Sequence, residues 1–191
     1  MRLIFIGPPG VGKGTQCKLL LQALNITHLS TGDMLRQAIQ QDTEVGRLSK
    51  QYLESGKLVP DPIILAVVRE RLDRGDCKRG CLFDGFPRTL GQAEALDGFL
   101  RDRGMPISGV LELRVDDHEI VRRLRERGRS DDRPEIIRAR LEHYQRQTAP
   151  LLNYYHEKEL LHTIDGSGTP EEVFGRIDRV LDIVCPERKT E

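Results

Sequence analysis

Tryptophan is absent from this 191-residue sequence, and aromatic residues make up only 5% of it. A core must therefore be largely aliphatic, and the 38% of hydrophobic residues is enough to build one. Excess charge is absent too: 30 Lys and Arg balance 30 Asp and Glu. That balance argues against a general nucleic-acid or membrane-surface binder, so neither partner is expected. No apolar stretch approaches membrane-spanning length. The first apolar run, Leu3 to Ile6, gives way at once to glycine and proline, unlike a signal peptide. A cytoplasmic location with reduced thiols is the expectation. Cysteine is scarce, at positions 17, 77, 81 and 185. Cys77 and Cys81 lie close together, but no second Cys or His pair completes a four-ligand site, so no structural zinc is expected. Repeats and low-complexity linkers are also missing, and the length suits one domain with small insertions.

What is present alternates. Short β-like runs occur at Arg2 to Ile6, Thr27 to Ser30, Cys81 to Asp84, Gly109 to Val115 and Leu160 to Ile164, with helical patterns between them. Ile64, Val67, Val68 and Leu72 share one helix face; Val173, Ile177, Val180, Leu181 and Val184 share another. Thr169-Pro170-Glu171-Glu172 predicts a capping box, and Asp61-Pro62 predicts a similar helix start. Strand–helix alternation implies a parallel sheet covered on both faces, an α/β fold. Two segments fit it poorly. Residues 30–59 are helical and polar, and 126–132 are too charged for a core. Both are expected to be movable flaps over a site.

The loop "GPPGVGKGT" follows the first strand, and Gly7, Gly12 and Lys13 match the phosphate-loop pattern G-x-x-x-x-G-K. Glycines let successive N–H groups converge on an anion, the following helix N-terminus favours it, and Lys13 adds a point charge. Lys13 is expected to be exposed in the cleft. The hydroxyl residue usual after the lysine is displaced, with Gly14 before Thr15. Further on, Asp84 ends an apolar strand at the edge where such sheets bind ligands, and a carboxylate there can hold Mg²⁺, through its water shell rather than directly. Gly85 allows close backbone approach, and Arg88 has the fork that grips a phosphate twice.

"GPPGVGKGTQ", "LSTGDMLR", "LFDGFPR" and "GRSDD", in this order, resemble the adenylate kinases of the nucleoside monophosphate kinase family, short-lid type, over essentially the whole chain. The Gly-Thr order after Lys13 is itself a trait of that family. The resemblance implies a P-loop NTPase-type five-stranded parallel sheet flanked by helices. Its core would span residues 1–29, 60–125 and 133–191, with a small helical monophosphate-binding flap at 30–59 and a short lid at 126–132. It implies reversible transfer from ATP to AMP, giving two ADP, with Mg²⁺ as cofactor, in a protein acting as a monomer. It places ATP at Gly10, Val11, Gly12, Lys13, Gly14, Thr15, Arg127 and Gly168. It places AMP at Thr31, Arg36, Lys57, Leu58, Val59, Gly85, Phe86, Pro87, Arg88 and Gln92, with Arg129 and Arg140. Catalysis would rest on Lys13, Asp84, Arg88, Arg123, Arg129 and Arg140, with Asp131 and Asp132 tying the lid to the arginines.

The chemistry agrees with that implication. Phosphoryl transfer requires in-line positioning and neutralised phosphate oxygens more than a base. A Gln92 amide both donates and accepts, which suits base reading. The nearest alternative is a UMP/CMP kinase, where the resemblance leads one to expect Ala for Thr31 and Asn for Gln92. A non-catalytic nucleotide-binding regulator is the other, against which the full arginine set and Asp84 speak.

Overall fold

Successive side chains of a strand face opposite ways, so a strand buried on both faces needs apolar residues throughout. β1 (Arg2–Ile6) meets that need: Leu3 and Phe5 enter one core cluster, Ile4 and Ile6 the other. The computed structural model describes residues 1–127 and 133–189. Within them β2 (Thr27–Ser30), β3 (Cys81–Asp84), β4 (Gly109–Arg114) and β5 (Leu161–Asp165) join β1 in one parallel sheet, in the order β2-β3-β1-β4-β5. Phe5 is in register with Asp84 on one side and with Leu111 on the other.

Helices cover both faces. The helices are α1 (Lys13–Ala23), α2 (Thr31–Gln40), α3 (Glu44–Glu54), α4 (Asp61–Asp73), α5 (Leu90–Arg101), α6 (Asp117–Arg127), α7 (Pro134–His143), α8 (Pro150–Glu157) and α9 (Pro170–Val184). Cys17 and Leu20 of α1 and Val173, Ile177 and Leu181 of α9 pack with Leu3, Phe5, Leu82 and Leu111. On the opposite face Ile64, Val68 and Leu72 of α4, Ala93, Leu96 and Leu100 of α5, and Leu151 and Tyr155 of α8 pack with Ile4, Phe83 and Val110. Ile120, Leu124 and Ile137 form a smaller cluster between α6 and α7.

Several element ends follow local chemistry. The Thr169–Glu172 capping box is complete at α9, and Thr89 caps α5 by accepting from the Gln92 N–H. Asp61-Pro62 starts α4 as expected, with Asp61 its first helical residue behind Pro60, but the Asp61 side chain does not cap. It is engaged elsewhere, as described below. Ser30 belongs to β2 and accepts from the Asp33 N–H to cap α2, so the polar segment begins on the sheet rather than beyond it. β4 ends one residue short of Val115, and β5 runs one residue later than the pattern suggests.

α2 and α3 form a tight pair. Gly46 of α3 lies so close to α2 that a Cβ there would sit 2.6 Å from the Ile39 nitrogen and overlap the Ala38 carbonyl group. Gly46→Ala should therefore destabilise the protein by about 1–3 kcal/mol through overpacking. Thermal unfolding should register this as a Tm lower by roughly 2–12 °C. An unchanged Tm would mean that the two helices separate without penalty.

Candidate nucleotide site

The turn after β1 runs from Gly7 to Gly12 before α1 begins. Gly10 and Gly12 show why the turn needs glycine. Gly10 has φ 88°, and a side chain there would meet Leu124 at 2.6 Å and the Ile120 carbonyl at 3.0 Å, because the loop lies against α6. Gly12, at φ 109°, occupies the N-cap of α1 with no side chain capping it. No acidic residue stands in the first turn of α1. An anion therefore finds an uncompensated helix N-terminus there.

Lys13 does not reach freely into the cleft. It is partly buried, and its ammonium donates to the carbonyls of Gly7 at 2.6 Å and Pro8 at 3.0 Å. An ammonium withdrawn from water takes the nearest acceptors, and these belong to its own loop. Burial lowers its pKa from 10.5 to about 8, with the Asp84 carboxylate opposing and Arg88 assisting the fall.

Asp84 lies at the carboxyl end of β3, in the same crevice. Burial alone would raise its pKa; His28, Lys13 and Arg88 outweigh burial and hold the carboxyl below its usual range. Asp84 is therefore ionised at neutral pH, as a carboxylate serving Mg²⁺ must be. Arg88 donates from Nε to the Gly85 carbonyl at 2.7 Å, and burial lowers its pKa as well. Thr31 donates its hydroxyl to the Gly85 carbonyl at 2.9 Å, which ties α2 to the same turn.

Gln92 is 2% exposed. Its Oε1 accepts from the Arg88 N–H at 2.8 Å and its Nε2 donates to Asp61 at 2.6 Å. Asp61 also accepts from the Thr89 hydroxyl at 2.9 Å. The amide of Gln92 is thus held in one orientation, with one N–H and one oxygen lone pair remaining.

The later arginines divide. Arg123 donates to Glu119 at 2.6 Å, to the Val11 carbonyl at 2.9 Å and to the Gly166 carbonyl at 3.2 Å. It clamps the phosphate loop to the turn after β5. Arg36 pairs with Asp33 at 2.6 Å on the surface of α2. Arg140 lines the cleft from α7. Arg127 is the last residue of α6; Arg129, Asp131 and Asp132 lie outside the described residues. The Phe86 side chain is 1% exposed and belongs to the core cluster of Ile4 and Phe83, so only its backbone is available to a ligand. Pro87, Gly168, Gly14 and Thr15 line the cleft, Lys57 and Val59 border a second cavity, and Leu58 borders both.

Two cavities result. The larger, about 810 Å³, lies over Gly10 to Thr15 and is within the usual size of a small-molecule site. The smaller, about 80 Å³, is bounded by Thr31, Lys57, Val59 and Gln92. Arg36, Arg88 and Arg140 border both. Pattern reading missed His28, which lines the larger cavity beside Asp84, and the hold of Asp61 on Gln92. Neither has a local motif, since one depends on a contact between neighbouring strands and the other on a contact between α4 and α5.

A strand–loop–helix phosphate cradle, an ionised carboxylate on the neighbouring strand and a file of arginines define a P-loop phosphotransferase. The family model "Adenylate kinase" matches residues 5–160. A protein named adenylate kinase from Chelativorans sp. (strain BNC1) is 45% identical, over 95% of this chain and 98% of its own. Those from Rhizobium meliloti (strain 1021) and Thermobifida fusca (strain YX) are 46% and 49% identical, over 95% and 92% of this chain and 100% and 95% of theirs. The chain belongs to the adenylate kinase family.

The Lys13 pKa carries a pH dependence. The folded value of about 8 lies below the ordinary 10.5, so between them the folded protein binds fewer protons than the unfolded chain. Over that window the contribution of Lys13 to stability rises with pH, while its charge toward phosphate is lost. kcat/KM for ATP should fall as pH rises through about 8. The corresponding limb of kcat should lie higher, because bound phosphate favours the ammonium. A kcat/KM that stays level across the window would remove Lys13 from phosphate binding.

Proposed function

We propose that the chain catalyses reversible phosphoryl transfer from ATP to AMP, giving two ADP. One observation carries this reading: a large cavity over the phosphate loop and a small one beside α2 share Arg36, Arg88 and Arg140 at their boundary. A donor in one and an acceptor in the other would bring their phosphates together at those guanidiniums. The transferring group's bond to the β-phosphate bridging oxygen breaks as its bond to an AMP phosphate oxygen forms. AMP phosphate is already a competent nucleophile, so no catalytic base is required.

The roles below belong to this proposal. The loop Gly10 to Thr15 and Lys13 hold the triphosphate, with Gly168 and Arg127 toward the donor base. Thr31, Arg36 and Arg88 hold the AMP phosphate; Lys57 to Val59 and the remaining valences of Gln92 face its base. Arg123 keeps the loop in register, and with Arg129 and Arg140 it meets the charge that spreads over the transferring oxygens. Mg²⁺ fits the site through the ionised Asp84, by way of its water shell, and when bound it neutralises phosphate oxygens. Residues 30–59 act as the flap and 126–132 as the lid, excluding water that would otherwise hydrolyse ATP. We infer a cytoplasmic monomer.

Two measurements test the assignment. Lys13→Ala should lower kcat by on the order of two to three decades, the usual loss for one transition-state donor, with little change in Tm. Near-normal turnover would sink the role of Lys13. AMP should also exceed UMP and CMP in kcat/KM by on the order of a hundredfold or more, since a site built to hydrogen-bond one base leaves polar groups unpaired with another. A higher value for UMP or CMP would make the chain a pyrimidine monophosphate kinase.

A further inference from the structure

Beneath the phosphate loop a thiol, an imidazole and a carboxylate converge. The ligand atoms of Cys17, His28 and Asp84 all lie within 4.8 Å of one another. They come from three elements, α1, β2 and the end of β3. Cys17 is a free thiol with no exposed surface. His28 Nε2 is buried without a hydrogen-bond partner, and it stands 3.6 Å from Asp84 Oδ2, just beyond hydrogen-bond length. A buried, unpaired imidazole nitrogen aimed at a carboxylate and a thiol requires an explanation. The proposed transfer chemistry makes no use of Cys17, and of His28 only through its hold on the Asp84 carboxylate.

We propose that Cys17, His28 and Asp84 form a binding site for a divalent cation of the zinc class, and that its occupancy inhibits phosphoryl transfer. Sulfur and nitrogen donors select a borderline-soft ion over Mg²⁺, which takes oxygen. A tetrahedral ion with bonds of about 2.0–2.3 Å needs ligand atoms roughly 3.3–3.8 Å apart, so the side chains need shift by no more than about 1 Å. Burial, then Asp84, push the Cys17 thiol well above its ordinary pKa, so the free protein holds it protonated. Binding forms the sulfur–metal bond and releases that proton to solvent. His28 and Asp84 both line the cleft, which leaves the fourth position to water or a phosphate oxygen.

The inhibition rests on the role proposed above for Asp84: a carboxylate ligated to this ion is withdrawn from nucleotide-bound Mg²⁺. The binding itself does not rest on that role. Co²⁺ serves as the probe, because a thiolate ligand gives it a charge-transfer band that oxygen and nitrogen ligands do not. One equivalent added to the intact protein should produce that band and tetrahedral visible absorption. Cys17→Ala should abolish the band, and His28→Gln should weaken Co²⁺ binding by roughly tenfold or more. Cys77→Ala and Cys185→Ala should leave it unchanged. Zn²⁺ should displace Co²⁺ and, at saturating AMP and MgATP, suppress turnover of the wild type. Cys17→Ala should turn over normally in the absence of Zn²⁺ and resist it. No band in the wild type, or an undiminished band in Cys17→Ala, would overturn the site. A band lost in Cys17→Ala together with full turnover of the Zn²⁺-loaded wild type would uphold the cation site and remove Asp84 from catalysis.

Discussion

Parallel pairing is the constraint on which the rest depends. With β1 between β3 and β4 and all strands running the same way, every strand delivers its following turn to one edge. The phosphate loop follows β1, Gly85 follows β3, Thr31 follows β2 and Gly166 follows β5. An antiparallel arrangement of the same strands would send half of these turns to the opposite side. At the sheet centre the connection from β1 runs to β2 on one flank and that from β3 runs to β4 on the other, and the crevice between them is where open α/β sheets bind ligands.

Charge is then concentrated in a place with little water. Lys13, Arg88 and Asp84 share that crevice, and their protonation behaviour is set jointly: burial works against each ion, and the opposite charge of a neighbour offsets it. The arrangement is costly when empty, as the turn of Lys13 onto its own loop carbonyls shows. A polyphosphate would supply the acceptors that those carbonyls now stand in for. Site and stability therefore oppose one another in this crevice, as expected where groups await a charged substrate.

Around that centre, several bonds serve to hold geometry. Arg123 ties α6 to Val11 and Gly166, across sequence separations of 112 and 43 residues. Asp61 fixes Gln92, and Gln92 in turn accepts from the Arg88 backbone. A single π-helical turn, Tyr144–Thr148, interrupts the run from α7 to α8 and lets Thr148 donate to the Arg88 carbonyl at 3.1 Å. The side proposed for the acceptor is thus braced from α4, α5 and the α7–α8 junction together.

The local part of this design was legible from the residues alone. The β1 boundaries, the α9 capping box, the phosphate loop and the position of Asp84 all follow from neighbours within a few residues, where period and turn chemistry decide. Asp61 was misread as a helix cap for the same reason: proximity to Pro62 suggested a local task, whereas its partners, Thr89 and Gln92, are 28 and 31 residues away. Phe86 sits inside a functional motif, yet its ring is buried in the core, which the motif alone does not reveal. His28 carried no signal at all. The sequence by itself determined which segments become strands, helices and the phosphate loop, because those choices are made by short-range sterics and hydrogen bonds. Only the tertiary structure decided which side chains share the crevice, because burial and charge coupling act between residues that the sheet, and nothing in the local chain, brings together.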